Sequence, residues 1–196
     1  YVMVYGGKHN YKSSAAHNYF CLYRVSTGEM VKVFGSSETY NYQVNDYNSY
    51  ATSMAFSPNG KHVVVGRFSK IGRSFDKSAL WEVSSGKKIR SLNIGGTRSI
   101  TFSPDGRYIA AGSDDGIVTL LEASTGGKIR TFSGHTRSVR SVKFSPDGHY
   151  VIATSDDGIA ILWDASNGAQ IKIISGHQGG VSSVKFSPDG EYIFTF

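Results

Sequence analysis

Apolar and polar residues alternate along most of this chain in short runs, separated by clusters of Gly, Asp, Asn, Ser and Pro. "HVVVG" after Lys61, "RYIAAGS" after Gly106, "HYVIATS" after Gly148 and "EYIFTF" after Gly190 each set every second residue on an apolar face. That is the pattern of a strand with one side buried. No segment of about ten residues carries the helical period that a crossover between parallel strands would need. The pattern therefore predicts an all-β, antiparallel chain.

The punctuation between the runs repeats. "FSPNG" begins at Phe56 and "FSPDG" at Phe102, Phe144 and Phe186, spaced by 46, 42 and 42 residues. An alternating run follows each, then in two units the turn "SDDG", at Ser113 and Ser155. A third strand reads "CLYRV", "ALWEV", "TLLEA" or "AILWDA" in successive units, and a Ser- and Gly-containing turn leads on to "MVKVF", "KIRSL", "KIRTF" or "QIKII". Each unit is thus four short strands joined by three turns, and Gly106, Gly116, Gly148 and Gly158 supply the positive φ that such hairpins require. A period near 42 with four strands per unit fits the blades of a β-propeller, in which each small sheet buries its faces against its neighbours.

In its second half the chain resembles the WD-repeat family. "SGH" at Ser133 is followed by "SPDG", "TSDDG" and "LWD", so the unit 133–174 carries a complete signature. The unit 93–132 has Leu121 in place of the usual Trp and Asn93 where the histidine would fall. Units 1–34 and 175–196 are partial, and 35–92 keeps Trp81 but carries long insertions. The resemblance implies one propeller segment over 1–196 that binds other proteins or peptides without catalysis. It also implies that His135, Ser155, Asp157 and Trp163 form a buried hydrogen-bond chain. Indole only donates, hydroxyl donates and accepts, imidazole bridges, and carboxylate ends such a chain as acceptor.

The same His, Ser and Asp invite a hydrolase reading, which the sequence opposes. "IATSDDG" lacks the Gly-x-Ser-x-Gly nucleophile elbow, and the preceding unit keeps Ser113 and Asp115 with no histidine. No metal-ligand spacing links His9, His17, His62, His135, His149 and His177, and no cofactor fingerprint occurs. No catalytic residue, metal or cofactor is expected.

The first strand, "YVMV", matches the second strand of later units, and the last, "EYIFTF", does the same. Seventeen strands are predicted, with terminal pieces that overlap by one strand if joined into a single blade. This reads as an excerpt of about half a ring, whose missing remainder would be one of its partners, since propellers have about four to eight blades.

Strand direction alternates within a blade, so the loop entering the first strand and the turn between the second and third share one face, the top. The long insertions, from Gly6, Gly35 and Arg67, all fall there. They are rich in basic and aromatic residues: Lys8, Lys12, Arg67, Lys70, Arg73 and Lys77 stand among Tyr11, Tyr40, Tyr42, Tyr47, Phe68 and Phe75. Loops on a rigid scaffold carry function, and Tyr and Arg are favoured at interfaces. The family resemblance adds Tyr50, Thr52, Arg98 and Arg140 at strand starts, and Asp114 and Asp156 before the turn aspartates. Arg98 could pair with Asp114 and Arg140 with Asp156; the preferred reading leaves both arginines available to a ligand.

The formal net charge of +6, from 21 basic and 15 acidic residues, leaves room for an acidic partner. Two functional readings stay open. The preferred one is a scaffold that docks an acidic or phosphorylated protein segment on the top face. The other is a nucleic-acid or phosphate-binding module, or the regulatory sensor domain of a larger protein. One cysteine, Cys21, within "YFCLYRV", reads as a buried strand residue. The absence of paired cysteines favours a cytoplasmic setting, or a nuclear one, and no apolar run reaches bilayer length, so no membrane partner is expected.

Overall fold

The computed structural model of the chain describes residues 2–8, 17–34, 49–69 and 77–196. These form seventeen strands in five antiparallel sheets. The first sheet holds β1 (Val2–Lys8), β2 (His17–Tyr23) and β3 (Met30–Phe34). The second holds β4 (Ser49–Phe56), β5 (His62–Ser69), β6 (Ala79–Glu82) and β7 (Lys88–Ser91). The third has β8 (Thr97–Phe102), β9 (Tyr108–Ser113), β10 (Val118–Glu122) and β11 (Lys128–Phe132). The fourth runs through β12 (Val139–Phe144), β13 (Tyr150–Ser155), β14 (Ala160–Asp164) and β15 (Gln170–Ile174), and the fifth pairs β16 (Val184–Phe186) with β17 (Ile193–Thr195). Every sheet is a meander in which sequence neighbours pair. All-β blades with incomplete terminal sheets are what the repeat pattern predicts.

The core lies between the sheets. One cluster joins Ala110, Val118, Leu120 and Phe132 of the third sheet to Val139, Val142, Val151, Ala153, Ile161 and Trp163 of the fourth. A second joins Val64 and Leu80 to Ile100, Ile109 and Leu121. A third brings Leu22 onto Val63 and Val83, and a fourth sets Ile152 and Ala160 against Val184. A strand with both faces apolar, such as "VIA" of β13, thus serves two layers at once: Val151 and Ala153 face one neighbour and Ile152 the other. Cys21 is buried in β2.

The first strands of the last four sheets pack in succession: β4 on β8, β8 on β12 and β12 on β16. Polar bonds reinforce that contact. The Ile100 N–H donates to Ser53 Oγ at 3.2 Å and the Val142 N–H to Ser99 Oγ at 3.1 Å, each across a sheet boundary. Close approach is also specified by Gly112, where a Cβ would lie 2.4 Å from Val139 Cγ1.

Candidate functional site

In the fourth sheet, the loop 133–138 entering β12 lies against the turn between β13 and β14. His135 is buried there, and its Nδ1 donates to Asp157 Oδ2 at 2.9 Å; its Nε2 is 3.3 Å from the Ala153 carbonyl oxygen. The Thr136 N–H donates to the same Oδ2 at 2.9 Å and the Ile159 N–H to Oδ1 at 3.2 Å. Burial works against ionisation of Asp157, but these donors, Thr136 first, outweigh it and hold its pKa below the usual carboxylate value. Trp163 is 1% exposed and meets the imidazole edge to face at 5.8 Å, and the ring of Phe132 from the preceding sheet lies 5.6 Å from it.

The four residues come together, but not as the linear chain that the resemblance implies. Ser155 does not bond His135. Its hydroxyl donates to the Arg137 carbonyl at 3.1 Å and accepts the Asp157 N–H at 3.1 Å. Ala153, which shares the apolar cluster of Trp163, offers His135 Nε2 no hydroxyl, only its carbonyl. The third sheet shows what the histidine changes. Without one, Ser113 donates directly to the Asp115 carboxylate, whereas His135 and Thr136 draw Asp157 away and leave Ser155 to the loop backbone. Chemically, Ser155 has a carbonyl as its proton acceptor and no base beside it, so nothing activates it as a nucleophile. The arrangement closes a loop onto a turn.

Arg140 and Asp156, both expected to meet a partner, lie beside this cluster, near the start of β12 and in the turn after β13. Arg140 is not available as expected. Its Nε donates to Asp156 Oδ1 and its Nη2 to Oδ2, both at 2.7 Å, a planar two-point pair that stays partly exposed. The guanidinium of Arg98 lies 3.9 Å from the centroid of the Phe68 ring, and Asp114 sits against Gly96 and donates its N–H to the Gly96 carbonyl. Thr52 is turned inward: its hydroxyl lies 2.6 Å from the Thr97 carbonyl of the next sheet, tying the two together. The Arg67 N–H donates to Ser78 Oγ, and Lys77 Nζ approaches Asn93 Oδ1 at 3.4 Å. Tyr50 pairs with Phe68 through the backbone of β4 and β5. Lys70 and Arg73, with the side chain of Tyr50 and the insertions 9–16, 35–48 and 70–76, lie outside the described residues.

At the opposite ends of the strands, the four Phe-Ser-Pro turns enclose a concavity of about 430 Å³ that also includes Lys143 and Lys185. Each turn is closed by its own side chains. Asp147 takes the Ser145 hydroxyl, the His149 N–H and His149 Nδ1, which hold its pKa down to about 2. Burial, then the charge of Lys185, lowers the pKa of Lys143. Neither this concavity nor the cross-sheet serines were foreseen. Ser53 and Ser99 do recur three residues before Phe56 and Phe102, a spacing that marks them once the repeats are aligned. Backbone partners such as the Thr136 N–H leave no mark in a sequence. Among the described residues no group of His, Cys, Asp and Glu could hold a metal ion, and no helix is long and apolar enough to cross a membrane.

Comparison with known proteins bears on the whole arrangement. The family described as "WD domain, G-beta repeat" matches residues 86–120, 126–164 and 168–195, together more than half of the chain. The matched units are offset from the sheets: 126–164 takes β11 from one sheet and β12 to β14 from the next, so each repeat stitches two blades. Nuclear distribution protein PAC1 of Coccidioides posadasii (strain C735) is 36% identical over 62 residues. That alignment covers 31% of this chain and 13% of PAC1.

Proposed function

Since the chain belongs to the WD-repeat family of non-catalytic protein-interaction scaffolds, we propose that it docks an acidic or phosphorylated protein segment on the face carrying its long connections. One observation carries this reading. Strands β1, β3 and β5 end, and β2, β4 and β6 begin, at the end where the loop 133–138 meets the turn 155–159, and 8, 14 and 9 residues of sequence separate them, whereas the turns at the opposite end are short. A fold that spends its length on one face, and keeps the other to tight hairpins, marks that face for recognition.

Arg98 and Arg140 supply the chemistry. A guanidinium stacked on an aromatic ring binds a carboxylate or phosphate through its edge. A phosphate can replace Asp156 on the fork of Arg140 with the same two-point geometry and more charge. The side chains of Phe194 in β17 and of Tyr192 and Phe196 on either side of it are exposed, and in this reading further strands of the propeller cover them.

The test uses immobilised phosphopeptides, their unphosphorylated forms and oligonucleotides as probes. Charge reversal at Arg98 and Arg140 should slow association of the phosphopeptides, and Phe68→Ala should speed their dissociation. Phosphopeptide binding that ignores all three substitutions contradicts the reading. So does oligonucleotide binding with a steep log-linear salt dependence that phosphopeptides cannot displace.

A further inference from the structure

The concavity at the Phe-Ser-Pro end is built differently from the face opposite. Its wall repeats four times, with turns that begin at Phe56, Phe102, Phe144 and Phe186, and its apolar surface comes from the rings of phenylalanine and proline. The residue before each phenylalanine changes from blade to blade: Ala55, Thr101, Lys143, Lys185. Two adjacent blades therefore bring two cations to one apolar bowl, Lys143 half-buried and Lys185 exposed.

Half-buried Lys143, with a second ammonium group beside it, favours a counter-charge, and the hairpins do not provide it. Asp147 is engaged by Ser145 and His149, and Asp189 by Ser187 and the Glu191 N–H. Asp105 is taken by Ser103 and Arg107. Among the described residues no carboxylate forms an ion pair with Lys143 or Lys185. The carboxylates nearest in sequence are spent on making the turns, and the repulsion between the two ammonium groups is left standing.

We propose that this bowl is a second docking site, which takes an extended protein segment carrying a carboxylate side chain beside an aromatic or aliphatic one. The carboxylate would lie between Lys143 and Lys185, and its apolar neighbour against the phenylalanine and proline rings. A volume near 430 Å³ holds a few side chains and not a folded domain, so the occupant is a linear segment. The site is independent of the arginines on the opposite face, so the two readings can fail separately.

A synthetic array of short peptides tests this on the intact protein. Its members combine Glu or Asp with Phe, Leu or Pro, alongside versions with Gln or Asn in place of the acids. Peptides with an acid next to an apolar residue should be retained, and their amide versions roughly tenfold less, because the counter-charge is lost from a partly desolvated site. Lys143→Met with Lys185→Met keeps the apolar stems and should abolish the distinction between acid and amide. Lys143→Arg should preserve it, and Arg98→Glu should leave it unchanged. The double variant should melt no lower than the parent. Retention of acidic peptides unchanged by the double variant, retention lost on Arg98→Glu, no preference for acids in the parent, or a lowered melting point in the double variant each overturns the proposal.

Discussion

Trp163→Ala should lower the unfolding free energy by about 3–5 kcal/mol, the usual cost of deleting a large buried aromatic side chain. Trp163 is 1% exposed and contacts both Phe132 of one blade and His135 at the entry to its own. Its loss opens a cavity at a blade boundary rather than inside a sheet. Denaturant titration gives the size of the effect, and hydrogen exchange gives its place. Protection should fall first along β11 and β14, which flank the cavity. Trp163→Phe should recover part of the loss, since it restores volume against Phe132. A loss under about 1 kcal/mol would mean that the blades meet through other contacts.

Gly116→Ala should cost about 2–4 kcal/mol, combining two penalties that act together. Gly116 has φ 83°, where an L side chain is strained by about 1–3 kcal/mol. An added Cβ would also lie 2.6 Å from the His135 carbonyl oxygen, a backbone atom that cannot rotate aside. Gly28→Ala separates the two, because Gly28 has φ 68° and nothing lies within 4 Å of where its new methyl group would stand. Equal effects at both positions would show that strain alone matters and that the turn does not press on the loop. The larger effect predicted at Gly116 is a direct measure of how tightly the blades are stacked.

Much of this architecture is legible in the sequence because its causes are local and repeated. Asp-Gly turns, period-two runs and the recurring Phe-Ser-Pro signal fix where strands begin and end, and the repeat spacing fixes that the sheets are alike. The binding surface is less legible, since it depends on which polar groups find each other across blades. Arg140 and Asp156 are sixteen residues apart in sequence, and nothing in either predicts a two-point pair rather than an open charge. Likewise the residue types His, Ser, Asp and Trp suggest a chain of bonds, but its order depends on the direction of each strand's side chains. With His135 and Thr136 drawing Asp157 away, Ser155 takes backbone partners instead. Lys143 and Lys185 look like ordinary surface lysines until the packing of β12 on β16 brings them to one bowl.

The polar cluster around His135 fastens the loop 133–138 to the turn 155–159, and we propose that this is its whole role. Its most direct test is a double-mutant cycle of His135→Ala and Asp157→Ala, followed by equilibrium unfolding at neutral and at acid pH. Each single substitution should cost about 1–3 kcal/mol, because it leaves the other group buried without its partner. The pair should cost less than the sum, since both changes remove one shared bond. Asp157 ionises more readily in the folded than in the unfolded chain. Its contribution is therefore complete above the ordinary carboxylate pKa and is lost as pH falls through its lowered folded value, and the coupling should fade there too. Strictly additive losses, or parent-like stability with the disappearance of an ester-hydrolysing activity, would contradict this structural role.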